Sequence, residues 1–82
     1  MRLPRDVSGR ELAKAAGALG YEVTRQTGSH IRLTTTRSGE HHITIPVHDA
    51  LKVGTLAAIL GNIAAHHEID RDEVAKLIFP GR

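Results

Sequence analysis

The chain has 82 residues, of which 40% are hydrophobic and only 2% aromatic, which predicts a single domain over residues 1–82 with a thin aliphatic core. The absence of cysteine excludes disulfides and thiolate metal sites, and no apolar stretch approaches the roughly 18 residues of a membrane helix, so we expect a soluble cytoplasmic protein. The net charge of +2 is uneven, with +3 in residues 1–52 and −1 in residues 53–82, which weakly favours an anionic partner such as nucleic acid.

A helix is predicted near the N-terminus. Ser8 and Glu11 have the spacing of a capping box, in which each side chain accepts a hydrogen bond from the backbone N–H of the other residue. Apolar residues at helical spacing follow, and Gly20 suits the left-handed position that ends a helix. These signals predict a helix over about residues 9–19.

Three strands are predicted next, because apolar and polar residues alternate over about residues 21–26, 30–35 and 41–47. The segments 27–29 and 36–40 are rich in turn-forming residues and predict two tight hairpin connections. Pro46 cannot donate a ladder hydrogen bond, so it belongs at a sheet edge or a strand end.

Helical spacing returns over about residues 53–65, and Asp70 and the acidic residues after it resemble the start of a short helix over about residues 71–78. The predicted order is therefore α-β-β-β-α with a short C-terminal helix. Short turns make the sheet a three-stranded antiparallel meander with both main helices on one face, which is an α+β fold.

The alternation of side chains along the strands separates two faces of the sheet. The apolar parity, which must face the helices, comprises Tyr21, Val23, Ile31, Leu33, Ile43, Ile45 and Val47. The other parity has no large apolar residue and comprises Glu22, Thr24, Gln26, His30, Arg32, Thr34, His42, Thr44 and His48. If Thr35 pairs with His41, His30 lies opposite Pro46, with Thr44 and His48 as diagonal neighbours.

His30 is the main candidate for a functional residue, although a histidine at a strand start is most often structural or merely exposed. A core role is disfavoured because Ile31 and Leu33 take the parity of the core. A metal site needs three converging ligands, and the adjacent His41 and His42 point to opposite faces. Nucleophilic catalysis is poorly supported, since there is no cysteine and no third group is evident to orient a Ser–His pair.

General acid–base catalysis on RNA remains, because the 2′-hydroxyl of RNA supplies its own nucleophile. Such a reaction needs a group that titrates near neutral pH and cations that stabilise the charge on phosphorus. His30 fits the first requirement, and Arg32, Lys52 or Arg25 fits the second. A module that binds RNA through the same basic residues without cutting it is the alternative.

Three stretches of the chain carry a family resemblance: "SGRELAKAAGALGYEVTRQTGSHIRL", "HHITIPVHDALKVGTLAAIL" and, more weakly, "EIDRDEVAKLI". Together they resemble the HicA family of bacterial mRNA-interferase toxins over about residues 3–78. Gly28-Ser29-His30, Ile45-Pro46-Val47-His48 and Gly54-Thr55-Leu56 fall in the order of the family. The histidine-rich stretch "NIAAHHEID" and the tail "FPGR" depart from the usual pattern.

The resemblance implies a double-stranded-RNA-binding-domain-like fold and cleavage of mRNA without a metal or any other cofactor. It implies that His30 is the catalytic histidine, and Gly28, Ser29, Thr44 and His48 are candidates for supporting it or contacting RNA. It also implies a cognate HicB antitoxin that covers the active face. A toxin that has lost its activity and only binds its partner is a third alternative.

Overall fold

The computed structural model describes residues 3–81 and begins with the predicted helix. Helix α1 spans Gly9–Ala15 and continues as a 3₁₀ turn over Ala16–Leu19. The capping box is present, since the Glu11 N–H donates to Ser8 Oγ at 3.0 Å and the Ser8 N–H donates to Glu11 Oε1 at 3.3 Å. Gly20 ends the turn in the left-handed conformation, with φ of 83°, as the sequence predicts.

The three strands form one antiparallel sheet in the order β1-β2-β3, with β1 over Glu22–Gln26, β2 over His30–Thr35 and β3 over His41–Pro46. The predicted register of the second hairpin is confirmed, because Thr35 pairs with His41 and His30 pairs with Pro46. Pro46 is the last residue of β3, which is an edge strand. Proline has no N–H to donate, and this position is one where the sheet tolerates that loss.

Two helices complete the chain, with α2 over Val53–His67 and α3 over Arg71–Ile78. Helix α2 runs two residues beyond the predicted end. Asp70 occupies the N-cap of α3, but its side chain makes no capping hydrogen bond. The helices and the antiparallel sheet confirm the predicted α+β fold class. No helix within residues 3–81 is long and apolar enough to cross a membrane.

The core lies between the apolar face of the sheet and the helices. Its fully buried side chains include Leu12 of α1, Leu33 and Ile45 of the sheet, and Leu56 and Leu60 of α2. Burial of such side chains stabilises a fold by roughly 1.5–3 kcal/mol each. The opposite face of the sheet packs against no helix of the described chain and is called here the open face.

Thr35 is the buried polar residue of this core within residues 3–81. Its hydroxyl donates to the Leu19 carbonyl at 3.0 Å and accepts the Arg37 N–H at 3.2 Å. The end of the first helical segment is thereby tied to the end of β2, and the buried hydroxyl has both partners that it needs.

The predicted alternation of β1 is wrong beyond Thr24, because the strand contains a β-bulge. Val23 pairs with Leu33, whereas Arg25 pairs with Arg32, so that Thr24 is an extra residue on β1. An extra residue reverses the parity of all later side chains on its strand. Arg25 therefore shares the open face with Arg32.

Gln26 is accordingly not on the open face, where the sequence predicted it. It pairs with Ile31 and lines a shallow groove of about 240 Å³ on the helix side, together with Lys14 of α1. Val23 lines the same groove but remains 53% exposed. Val23 was assigned the correct face, and the helices leave it largely uncovered.

Candidate active site

His30 lies at the start of β2, where two backbone hydrogen bonds hold the chain. The Thr27 N–H donates to the His30 carbonyl at 3.0 Å and closes the first hairpin. The Val47 N–H donates to the Ser29 carbonyl at 2.9 Å and links the hairpin to the chain beyond β3. The His30 side chain is exposed on the open face. It is therefore anchored through its backbone and accessible through its imidazole.

The imidazole of His30 makes one side-chain hydrogen bond, in which Nδ1 lies 3.0 Å from Ser29 Oγ. If Nδ1–H donates to the hydroxyl, Nε2 of the neutral ring is free to act as a base. The protonated ring keeps this hydrogen bond and carries an Nε2–H that can act as an acid. Ser29 thus orients the ring in either protonation pattern and leaves Nε2 for a substrate.

Arg32 is the cation that the sheet places beside His30 on the same face. It lies two residues farther along β2, which is a separation of about 7 Å between backbones. Arg32 pairs with Thr44 on β3 and with Arg25 on β1. All three side chains are exposed. The predicted association of His30, Arg32 and Thr44 on one face is therefore found, and the bulge adds Arg25 to it.

Gly28 precedes Ser29 in an exposed turn whose geometry does not require glycine. A Cβ built at Gly28 meets no described atom within 4 Å, and the backbone is not in the left-handed region. Folding therefore gives no reason for glycine at this position. Glycine there leaves open space in the turn two residues before His30.

His48 and Lys52 lie beyond the end of β3, and both are exposed. The His48 carbonyl accepts the Gly9 N–H at 2.9 Å, and Lys52 is the extended residue at the N-cap of α2. Neither side chain forms a hydrogen bond or ion pair with His30 within the described part of the chain. Their part in the site stays a prediction.

A hydrogen-bonded chain at the other end of the open face was not predicted in full. Glu40 Oε2 lies 3.0 Å from His42 Nε2, and His42 Nδ1 lies 2.7 Å from Thr34 Oγ1, which is 2.9 Å from Thr24 Oγ1. The predicted register places His42 beside Thr34, as found. Thr34 is four residues from His30 along β2, or about 13 Å, so this chain does not reach His30.

The histidine-rich end of α2 forms a cluster on the helix side of the sheet, which sequence reasoning missed. The Tyr21 hydroxyl lies 2.7 Å from His41 Nδ1 and 3.2 Å from His67 Nε2. The rings of His41 and His66 stack with centroids 4.3 Å apart. His66 Nε2 lies 2.9 Å from the Arg37 carbonyl, an acceptor, so Nε2 must carry a proton and donate it.

Burial changes the acid–base properties of this cluster. It raises the pKa of Tyr21 to about 12. It also lowers the pKa of His41 and of His67, and the positive charges of neighbouring histidines, with Arg37 in the case of His67, lower them further. The C-terminal end of a helix favours the charged form of a histidine, but burial outweighs that effect on the pKa of His67. No group of three or more histidine, aspartate or glutamate side chains within residues 3–81 is arranged to hold a metal ion.

Comparison with known proteins identifies a family that matches this chain. A family described as "HicA toxin of bacterial toxin-antitoxin" matches residues 9–64, which is more than half of the chain. The match runs from α1 through the whole sheet into α2 and includes His30. Comparisons with curated proteins and with solved structures find no match. The chain therefore belongs to the HicA toxin family of bacterial toxin–antitoxin systems.

Proposed function

We propose that this HicA toxin is an endoribonuclease that cleaves mRNA, with His30 as general acid or base and without a metal cofactor. The observation that supports this function best is the exposed imidazole of His30, oriented by Ser29 on a face where no helix covers it. Arg32 lies beside it on the same face and supplies a positive charge. Histidine is the side chain most often used for proton transfer near neutral pH.

The reaction uses the 2′-hydroxyl of RNA as the nucleophile. A base removes its proton while the 2′-oxygen attacks phosphorus, and the bond between phosphorus and the 5′-oxygen breaks. The departing 5′-oxygen takes up a proton, which leaves a 2′,3′-cyclic phosphate and a 5′-hydroxyl. Nε2 of His30 serves as one of the two proton-transfer groups. The positive charge of the open face, to which Arg32 contributes, favours the negative charge that develops on the phosphate oxygens.

Membership of the family implies a cognate antitoxin as partner. We propose that the antitoxin is of the HicB type and lies across the open face, where it blocks access to His30. The free toxin then acts on transcripts in the cytoplasm. Attraction between a basic open face and an acidic partner would speed their association.

Cleavage of a long single-stranded RNA by purified protein in EDTA tests this function. Wild type is compared with His30→Ala and with His42→Ala, a matched control because His42 is an exposed histidine of the same face about 13 Å away. We expect wild type and His42→Ala to produce cyclic phosphate ends, and His30→Ala to lose at least 100-fold in rate, on the order of a general acid–base contribution.

Equal cutting by wild type and His30→Ala, with both folded by circular dichroism, would exclude His30 as the catalytic group. If neither protein cuts RNA but both bind it, the chain is an RNA-binding module instead. Loss of activity in EDTA that returns on addition of a divalent metal would contradict the metal-free mechanism.

A further inference from the structure

The bulge in β1 places two arginines directly opposite each other on the open face. Arg25 and Arg32 are paired residues of adjacent antiparallel strands, and both are exposed. Like charges at directly opposite positions destabilise a sheet, because their side chains start only about 5 Å apart. A regular β1 strand would instead direct Arg25 to the helix side. The bulge therefore creates a repulsive pair that a regular ladder would avoid.

No carboxylate of the described chain neutralises this pair. Glu22, which lies on the open face of β1, forms no ion pair with any residue from 3 to 81. Glu40 is engaged by His42 at 3.0 Å. Arg25 and Arg32 themselves make no side-chain hydrogen bond within the described residues. Ten guanidinium N–H donors are thus presented at one place on the surface without an acceptor.

We propose that Arg25 and Arg32 together bind one phosphate of single-stranded RNA, next to the phosphate that is cleaved at His30. This inference rests on the proposed function for the identity of the ligand. Guanidinium groups bind phosphate oxygens in pairs of parallel hydrogen bonds, and two groups that start about 5 Å apart can reach opposite sides of one phosphate. Binding of the phosphate anion removes the repulsion between the two arginines, so the pair is more stable with the anion bound than without it.

The position of the pair fits a neighbouring phosphate better than the cleaved one. Arg32 follows His30 by two residues on β2, and Arg25 lies on the far side of Arg32 from β3. About 7 Å separates the backbones at His30 and Arg32, which is of the order of one extended nucleotide. The RNA strand would therefore run from His30 at the start of β2 toward the middle of the sheet.

The test exchanges the two residues at the bulge. The Arg25→Gln/Gln26→Arg double variant keeps composition and net charge but moves one guanidinium from the open face to the helix side. Binding of a fluorescent 20-nucleotide single-stranded RNA is measured by anisotropy over a range of salt concentrations. All proteins carry His30→Ala, so that the RNA stays intact. The set comprises the parent, the exchange variant, Arg25→Gln, Arg32→Gln and Arg25→Gln/Arg32→Gln. The control is Arg71→Gln, at an exposed position of α3.

We expect the exchange variant and each single variant to bind about tenfold more weakly at low salt. In the double glutamine variant, the slope of log K against log salt should fall by about 0.7, the value for one phosphate of a single strand, and not by twice that amount, because the two arginines share one phosphate. The slope should fall by less than about 0.7 in the exchange and single variants, since one arginine still contacts that phosphate. Arg71→Gln should bind as the parent does.

Parent-like binding by the exchange variant would overturn the inference, because net charge alone would then explain RNA affinity. A slope loss of about 1.4 in the double glutamine variant would also overturn it, since the arginines would contact separate phosphates. The inference would also be overturned if the variants bound RNA as the parent does but no longer bound the cognate antitoxin. That result would assign the arginine pair to the protein partner. Because binding is measured without cleavage, failure of His30 as catalytic group leaves these results interpretable.

Discussion

Gly9, the first residue of α1, packs against Pro46 at the end of β3, the residue that pairs with His30. Its substitution by alanine tests this contact. The Gly9 N–H donates to the His48 carbonyl at 2.9 Å. A Cβ at Gly9 would overlap the Pro46 carbonyl oxygen and lie 3.3 Å from Ile45 Cγ2. The backbones of α1 and β3 therefore approach each other at a distance that only glycine permits.

Two effects of opposite sign compete in Gly9→Ala. Helix propensity favours alanine over glycine by up to about 1 kcal/mol. Overpacking in a buried site typically costs about 1–3 kcal/mol, and here the obstacle is a backbone carbonyl, which cannot rotate away as a side chain could. A strained hydrogen bond to His48 adds about 1 kcal/mol. We therefore expect a net loss of about 2–3 kcal/mol, a large part of the roughly 4–12 kcal/mol available to a chain of this length.

Urea unfolding measures this loss, with Gly61→Ala as the matched control. Gly61 lies inside α2, and a Cβ there meets no described atom within 4 Å. With a slope of about 1 kcal/mol per M, the midpoint of Gly9→Ala should fall by about 2–3 M. The midpoint of Gly61→Ala should rise by about 0.5–1 M. A Gly9→Ala midpoint at or above wild type would show that the close contact of α1 with Pro46 is wrong.

Two further predictions concern pH and the turn before His30. The pKa values of His41 and His67 are lowered in the folded state, so the unfolded chain binds more protons than the folded chain below the ordinary histidine pKa of about 6.5. The free energy of unfolding should therefore fall as pH drops through that value, and level off below the lowered pKa values. Urea midpoints should therefore be lower at about pH 5 than at about pH 7.5, and less so in a His41→Gln/His67→Gln variant; an equal fall in both proteins would contradict this. Gly28→Ala should leave the free energy of unfolding, measured in urea, within about 0.5 kcal/mol of wild type while it lowers RNA cleavage. Unchanged cleavage would show that the space at Gly28 is not used by substrate.

The local signals in the sequence predict the elements and the position of His30 well. The Ser8 and Glu11 capping box and the left-handed Gly20 depend only on neighbouring residues, and both are present. The register of the second hairpin follows from a short turn and from Pro46, which has to end a strand. Since these constraints act over a few residues, a single sequence contains them.

The β1 bulge could not be predicted, because the sequence around it does not distinguish the two faces. Thr24, Arg25 and Gln26 are all polar and exposed, so neither register buries an apolar side chain. The choice between Arg25 and Gln26 for the open face is made by pairing with β2. A run of polar residues in an edge strand is therefore where assignments of site residues from alternation alone are weakest.

The histidine cluster was missed for a different reason, since its members are far apart in the chain. Tyr21, His41 and His67 come together only when the end of α2 packs across the sheet. The extra histidines at this helix end therefore have a structural role, in which His66 and His67 bind the second turn and Tyr21. Such contacts have no local signature.

One face of the sheet contributes side chains to the core, and the other carries the residues of the proposed chemistry. In β2, Ile31 and Leu33 face the core and are buried, whereas His30 and Arg32 lie on the open face and are exposed. Substitutions of His30 or Arg32 should therefore change RNA cleavage or binding with little effect on stability, which is the usual result at exposed positions. The exception is the end of β3, where Pro46 faces His30 on one side and Gly9 on the other. A change at Gly9 should accordingly reduce both stability and cleavage, although Gly9 lies in the helix layer and not on the open face.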